Sequence, residues 1–381
     1  MLNRRVLLVA YPLLPVSDQS AGGAEQILLT LERELAGRGW ETEVAACAGS
    51  KVVGRLVVTG NAALPAAGAG VPTGEAPAGL DGFAECVREH AERVEAACAE
   101  RDYAMVLDHS GHFFRHVSRH VSGNISGNVS GNVSGSPARV RAPVLATLHL
   151  PRELYGAEAF AGLAENVYFH CVSQAQQREF VDLPRMLGVV RNGIDVERFA
   201  AACEGPGGGK ADYLLWLGRV CPEKAPHLAI AAAERAGLPI VLAGQVYPFA
   251  WHQQYWEREV KPRIDGRRVQ WVPLPSFAEK TKLLRQARGL LVTSLVGETT
   301  SLVALEAMAS GTGVIAFRRG ALEEVVTEGT GYLVDGVEAM AEACVRLGSI
   351  RAQDCRTWVE REYSAQAMAD GYERLIEGLA H

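Results

Sequence analysis

The feature that most constrains this chain is an alternation. Short, uninterrupted apolar runs of strand length are separated by stretches with helical periodicity. Val6-Leu7-Leu8-Val9-Ala10 is apolar at every position, as expected of a strand buried on both faces. A helix is expected over residues 24–36, with Ile27, Leu28, Leu31 and Leu35 on one side. Gly37 and Gly39 end it. Further strands are expected at 44–46, 105–107 and 144–147, with a helix over 83–99 between the first two. The second half repeats the rhythm, with strands at 213–217, 240–243, 269–272, 290–293, 314–317 and 332–334. Ser276-Phe277-Ala278-Glu279 is a capping box that opens one of the intervening helices. Strands alternating with helices imply parallel sheets covered on both faces. Two such halves meeting near 188–192 predict an α/β chain of two doubly wound domains facing across a cleft, with ligands at the carboxyl ends of strands. The 381 residues fit two domains of about 100–200 residues each.

Charge and composition exclude several classes. Lys and Arg number 38 against 44 Asp and Glu, a net charge of −6, so no cation excess is present to neutralise nucleic acid phosphates. No run approaches the roughly 18 apolar residues of a membrane span. The N-terminus briefly resembles a signal peptide, but its apolar run is short, and Pro12 and Pro15 follow without a cleavage pattern. It reads as a first strand, and the protein as cytoplasmic. The eight cysteines are scattered, with no C-x-x-C and no Cys/His cluster at ligand spacing. Neither a zinc site nor a disulfide framework is expected, and most cysteines read as small core residues.

One segment breaks the rhythm. Residues 121–136 read VSGN, ISGN, VSGN, VSGS, four tandem copies of a four-residue unit. Its Gly and Asn favour turns and no copy can bury a useful face, so it reads as a tolerated surface insertion. Asn124, Asn128 and Asn132 fit the N-x-S sequon, which carries no meaning in a cytoplasmic protein.

Three segments could carry chemistry. The connection 11–23 is thirteen residues long and ends in Gly22-Gly23 at a helix start. Glycines there let a ligand approach backbone amides at the positive end of the helix; a long connection that needs flexible turns explains the segment equally well. Residues 217–224 follow a strand and project Arg219 and Lys224, a fork and a point charge suited to a diphosphate. Taken alone, surface ion pairs with Glu223 are the simpler reading. Residues 297–311 place Glu298 and the cap-type residues Thr299, Thr300 and Ser301 ahead of an apolar helix, with Gly311 after it. Between Ser301 and Ser310 the only ionisable residue is Glu306. A carboxylate on such a helix needs donors, for which sugar hydroxyls are suitable; the alternative is that Glu306 faces solvent. Two other patterns fail. Residues 311–316 fit G-x-G-x-x-A but follow a helix and precede a strand, the reverse of the dinucleotide context. No D-x-D occurs to hold a metal on a nucleotide diphosphate.

Together the segments resemble the retaining glycosyltransferases of family 4, which have the two-domain GT-B fold. Glu298 and Glu306 match the E-x7-E motif, and Gly218-Arg219 with Glu223-Lys224 match G-R-x-x-x-E-K-G. Gly22-Gly23-Ala24-Glu25 match G-G-x-E, and Asn192-Gly193-Ile194-Asp195 match N-G-x-D near the hinge, read here as a turn. His149 matches a strand-end histidine, and Glu324 an acidic position after the E-x7-E helix. Three positions depart: Ala225 and Ser301 stand where Gly is usual, and Thr299 where Pro is common.

The resemblance implies two Rossmann-like domains: residues 1–187, which bind the acceptor and carry the 121–136 insertion, and 188–359, which bind the nucleotide sugar. Residues 360–381 would form a helix packing back on the first. Arg219, Lys224, Glu298 and His149 would be catalytic. Gly22, Gly23, Gly218, Thr299, Thr300, Ser301, Leu302 and Glu306 would complete the donor site, with Glu306 on the ribose and Glu298 on the transferred sugar. The implied donor is a nucleotide diphosphate sugar, UDP-linked as first choice, with no metal and no cofactor. The alternatives are a sugar-nucleotide binder without turnover and another GT-B enzyme such as an epimerase. The acceptor is not legible; Phe113, Phe114 and Tyr155 hint at a flat or apolar one, although core packing explains them as well.

Overall fold

The structure is a computed structural model that describes residues 3–18, 20, 22–61, 83–121, 140–201, 210–247 and 249–379. From residue 122 onward the tetrapeptide repeat, with its three asparagines, lies outside the described residues. The chain divides into two units. One comprises residues 1–172, 177–190 and 369–381; the other comprises 173–176 and 191–368.

The first unit is built on seven parallel strands: β1 (Arg5–Val9), β2 (Glu41–Ala46), β3 (Arg55–Val58), β4 (Met105–Asp108), β5 (Val144–Leu148), β6 (Val167–Cys171) and β7 (Met186–Val189). Their spatial order is β3-β2-β1-β4-β5-β6-β7. Leu8 of β1 pairs with Val44 on one side and Leu107 on the other. Residues 6–9 have no exposed surface, which is why that run carries no polar alternation. The second unit has six parallel strands: β8 (Leu214–Arg219), β9 (Ile240–Gln245), β10 (Val269–Pro273), β11 (Gly289–Val292), β12 (Val314–Phe317) and β13 (Gly331–Val334). Their order is β10-β9-β8-β11-β12-β13. Both sheets are doubly wound: succession runs outward one way from a central strand, then resumes on its other side. The α/β architecture expected from the alternation is therefore present in each unit.

Strands β3, β6 and β7 are additions to the sequence reading. β3 and β7 are edge strands, exposed or half-buried along their length, and β7 contains a glycine. β6 carries Tyr168 and His170 in its middle. None presents the unbroken apolar run that identifies a central strand. β8 also runs two residues beyond its expected end, so Gly218 and Arg219 belong to the strand and not to the following turn; Arg219 pairs in register with Gln245. Phe113 and Phe114 are fully buried, Tyr155 nearly so, and Phe114 meets Phe169 edge to face at 5.3 Å between ring centres. These aromatics fill the core of the first unit, which removes them as a sign of an apolar acceptor.

Candidate functional site

In a doubly wound sheet a crevice opens where succession reverses, outside the carboxyl ends of the two strands concerned. In the second unit those strands are β8 and β11. The turn after β8 and the segment after β11 are the two pieces singled out by their charges.

The turn after β8 is tied to β11. The Leu295 amide donates to the Glu223 carbonyl at 2.8 Å. The Thr293 hydroxyl donates to the Lys224 and Ala225 carbonyls at 2.9 and 3.0 Å. Ala225 caps the helix Pro226–Ala236 in the left-handed region, φ +46°, and is fully buried. This conformation explains why glycine is the usual residue there. An L-residue in it costs about 1–2 kcal/mol. Ala225→Gly should therefore raise the melting temperature slightly, offset in part by the freer unfolded chain; a clear fall in a thermal melt would show that the methyl's packing outweighs the strain. Ser301 takes φ −109°, so its side chain replaces glycine without backbone strain.

Lys224 does not stand alone. Its ammonium pairs with the Glu298 carboxylate, and the Ser294 hydroxyl donates to the same oxygen, Oε1. Glu298 is also held through its backbone, because its carbonyl accepts from the Ala321 amide at 2.7 Å. Gly320 makes that approach possible: it has φ +54°, and a Cβ there would lie 2.4 Å from the Glu298 carbonyl oxygen.

Eight positions on, Glu306 lies in the helix Leu302–Ala309 and is 4% exposed, so the solvent-facing alternative is excluded. Its Oε1 accepts from the Lys280 ammonium at 2.6 Å. That ammonium also lies 5.5 and 5.6 Å from the ring centres of Phe199 and Phe277. Lys280 was not legible as a site residue, since a lysine one turn past a capping serine looks like an ordinary helix-surface charge. Ser301 occupies the N-cap position, but no side chain caps this helix start. Glu324 lies elsewhere: its carboxylate accepts from the Gln174 and Ala175 amides at 3.0 and 2.5 Å.

Arg219 enters no salt bridge among the described residues, so the alternative of a surface ion pair with Glu223 is not met at this residue. Its guanidinium lies 5.6 Å from the Tyr247 ring centre, and its Nε is buried without a hydrogen-bond partner.

The remaining sequence candidates belong to the first unit. Gly22 caps the helix Gly23–Gly37. A Cβ on Gly22 would lie 2.0 Å from Oε2 of Glu25, so glycine leaves room for that carboxyl. Burial raises the Glu25 pKa above the ordinary carboxylate range. His149 follows β5, and its Nε2 meets Nδ1 of His109 at 3.0 Å. His170 Nε2, the Thr147 hydroxyl and the Tyr372 hydroxyl form a second buried group at 2.8–3.1 Å. Burial lowers the His149 pKa to about 3 and that of His170 to about 4, so both rings are neutral at pH 7. His109 and His170 have no local sequence signal, since their partners are 40 and 202 residues away.

Known proteins resemble this chain at three levels. The profile of the family Glycosyl transferases group 1 matches residues 211–349, most of the second unit. A D-inositol 3-phosphate glycosyltransferase of Kribbella flavida is 28% identical over 385 residues, covering 91% of this chain and 88% of the relative. Other matches are shorter. The chain spans 41% of the corresponding enzyme of Mycobacteroides abscessus at 29% identity, and 34% of a glycogen synthase of Mycobacterium tuberculosis at 36% identity. Among solved structures, AviGT4, a glycosyltransferase of avilamycin A biosynthesis, superposes with a TM-score of 0.68 at 23% identity, over 99% of this chain and 98% of its own. Sucrose-phosphate synthase of Thermosynechococcus elongatus gives 0.71 at 19% identity, over 98% of both chains. Anabaena HepE in complex with UDP-glucose gives 0.68 at 15% identity, over 98% of this chain and 99% of its own.

Proposed function

We propose that this chain is a group 1 glycosyltransferase of GT-B fold, the family 4 type, and that it moves a hexose-type sugar from a nucleotide diphosphate sugar to a small-molecule or saccharide acceptor, with retention at the anomeric carbon. One observation carries the reading. The carboxyl ends of β8 and β11 hold two cations and two carboxylates in the order that the family motif requires, and Lys224 already pairs with Glu298. UDP is the first candidate nucleotide; HepE, a fold neighbour, was solved with UDP-glucose.

Departure of the sugar builds negative charge on the leaving diphosphate. Arg219, Lys224 and the uncapped start of the helix Leu302–Ala309 are the groups proposed to stabilise it. The diphosphate would draw Lys224 from Glu298, leaving that carboxylate to accept from sugar hydroxyls. Gly218 and the backbone of Thr299, Thr300, Ser301 and Leu302 would line the phosphates, and Glu306, oriented by Lys280, would accept from the ribose. The proposal extends to donor roles for Gly22, Gly23 and His149 of the first unit. The chain offers no D-x-D to hold a metal on the donor, and the cations can stabilise the leaving group without one.

A thermal-shift screen of UDP-, GDP-, ADP- and TDP-sugars, run with and without Mg²⁺ and followed by donor hydrolysis, tests the reading. One donor series should stabilise the protein and be slowly hydrolysed without added metal. Binding without release of nucleotide would indicate a binder, and a strict need for Mg²⁺ would reject the metal-free mechanism. Glu306→Gln tests the ribose contact. Charge-assisted hydrogen bonds are worth about 1.5–3 kcal/mol, so nucleotide affinity should fall about ten- to a hundredfold by titration. The paired variant Lys280→Met separates the roles: an equal loss from both would mean that the ion pair, and not a ribose contact, sets affinity.

A further inference from the structure

Cys221 and Glu223 lie in the turn after β8, on either side of Pro222. His252 lies about thirty positions on, in the helix Ala250–Tyr255. The fold brings the three together: the Cys221 sulfur, a Glu223 carboxylate oxygen and a His252 ring nitrogen all lie within 4.8 Å of one another. Cys221 and His252 have no exposed surface. Both ring nitrogens of His252 and Oε2 of Glu223 are buried without a hydrogen-bond partner. A buried polar atom left unsatisfied costs about 1–3 kcal/mol; Oε2 of Glu223 and one His252 ring nitrogen, beside a Cys221 thiol that donates to the Arg219 carbonyl at 3.6 Å, form a donor set. Aromatic rings surround the imidazole: Tyr247 stacks on it at 5.8 Å, and Phe249 and Trp251 lie edge-on at 5.2 and 3.9 Å.

We propose that Cys221, Glu223 and His252 form a binding site for a divalent transition-metal ion, zinc by the chemistry of its ligands. Sulfur, imidazole nitrogen and carboxylate oxygen are the donors zinc takes together. Bonds of about 2.0–2.3 Å in tetrahedral geometry put ligand atoms about 3.5 Å apart, so the three groups need to close by roughly 1.3 Å at most. Binding converts the Cys221 thiol to thiolate, with its proton released to solvent. The thiolate and carboxylate then balance the ion's charge, and a water completes the fourth position. The ion would fasten the turn that carries Lys224 to the helix Ala250–Tyr255. It is a positioning device and not a contact to the donor, so its presence does not depend on the transferase reading. The spacing 221, 223, 252 matches no linear zinc motif, which is why the sequence alone argued against such a site.

The test is metal content. Full-length protein from zinc-supplemented cultures should carry about one zinc ion per chain by mass spectrometry. Cys221→Ser and His252→Ala should each lose most of it. Apo wild-type protein, stripped with dipicolinate and titrated with Co²⁺, should show a thiolate-to-cobalt charge-transfer band in the near ultraviolet. That band reports Cys221 ligation even if the variants fold poorly. Wild-type protein that holds no zinc and gives no cobalt band overturns the proposal, as does zinc retained in both variants.

Discussion

Arg219→Ala and Lys224→Ala should each lower kcat/KM about 100- to 1,000-fold, the cost of removing one preorganised donor from a developing oxyanion. Arg219 lies at the last position of β8, at the carboxyl end that the sheet's reversal opens, and it enters no ion pair among the described residues that would account for its charge. Arg219→Ala should leave the melting temperature nearly unchanged. Lys224→Ala removes the counter-charge of Glu298, whose side chain is only 10% exposed, so a modest loss of stability should accompany the kinetic one. Arg219→Lys should recover part of the rate, because a point charge replaces the charge but not the bidentate fork. The measurement pairs steady-state kinetics, or donor hydrolysis while the acceptor is unknown, with nucleoside diphosphate titration. Two alanine variants that bind nucleotide and turn over as wild type would remove the main physical support for the proposed chemistry.

The first unit should lose stability between pH 6.5 and 4. Burial lowers the pKa of His90, His112 and His170 to about 4 and of His149 to about 3, and holds His109 well below its ordinary value. In the unfolded chain these rings take up protons near pH 6.5. Below that pH the unfolded state binds more protons than the native one, so stability falls as pH falls. Each fully buried ring contributes up to about 1.4 kcal/mol per pH unit across its window. His90, His109 and His170, at most 3% exposed, contribute most. Burial raises the pKa of Glu25 and Asp108, which acts in the opposite direction, but two carboxyls stand against five rings. Thermal melts at pH 7.5, 6 and 5 should show a progressive fall in melting temperature. His170→Gln should flatten the slope, since glutamine does not titrate. A melting temperature constant from pH 7.5 to 5 would show that the rings are hydrated or already charged in the native state.

The central strands and the charged loops at their ends were legible because their causes are local. An uninterrupted apolar run such as residues 6–10 suits a strand buried on both faces, as in a parallel sheet covered by helices. A lone carboxylate on an apolar helix marks Glu306 without knowledge of its partner. Ser276 and Glu279 form their expected reciprocal cap, because both halves of it lie within one turn. Edge strands β3 and β7 were missed because one-sided burial leaves no continuous pattern, and β6 because its polar residues find partners far along the chain.

What only tertiary structure decided is which charges meet. Glu298 and Lys224 are 74 positions apart and form an ion pair; Glu306 and Lys280 are 26 apart and do the same. Cys221 and His252, and likewise His109 and His149, come together although no local pattern pairs them. Hydrophobic periodicity specifies an element and the face it buries, since both depend on residues a few positions away. It does not specify the crossover that carries one strand's carboxyl end beside another's, and every pairing at these sites arises at such a meeting of ends.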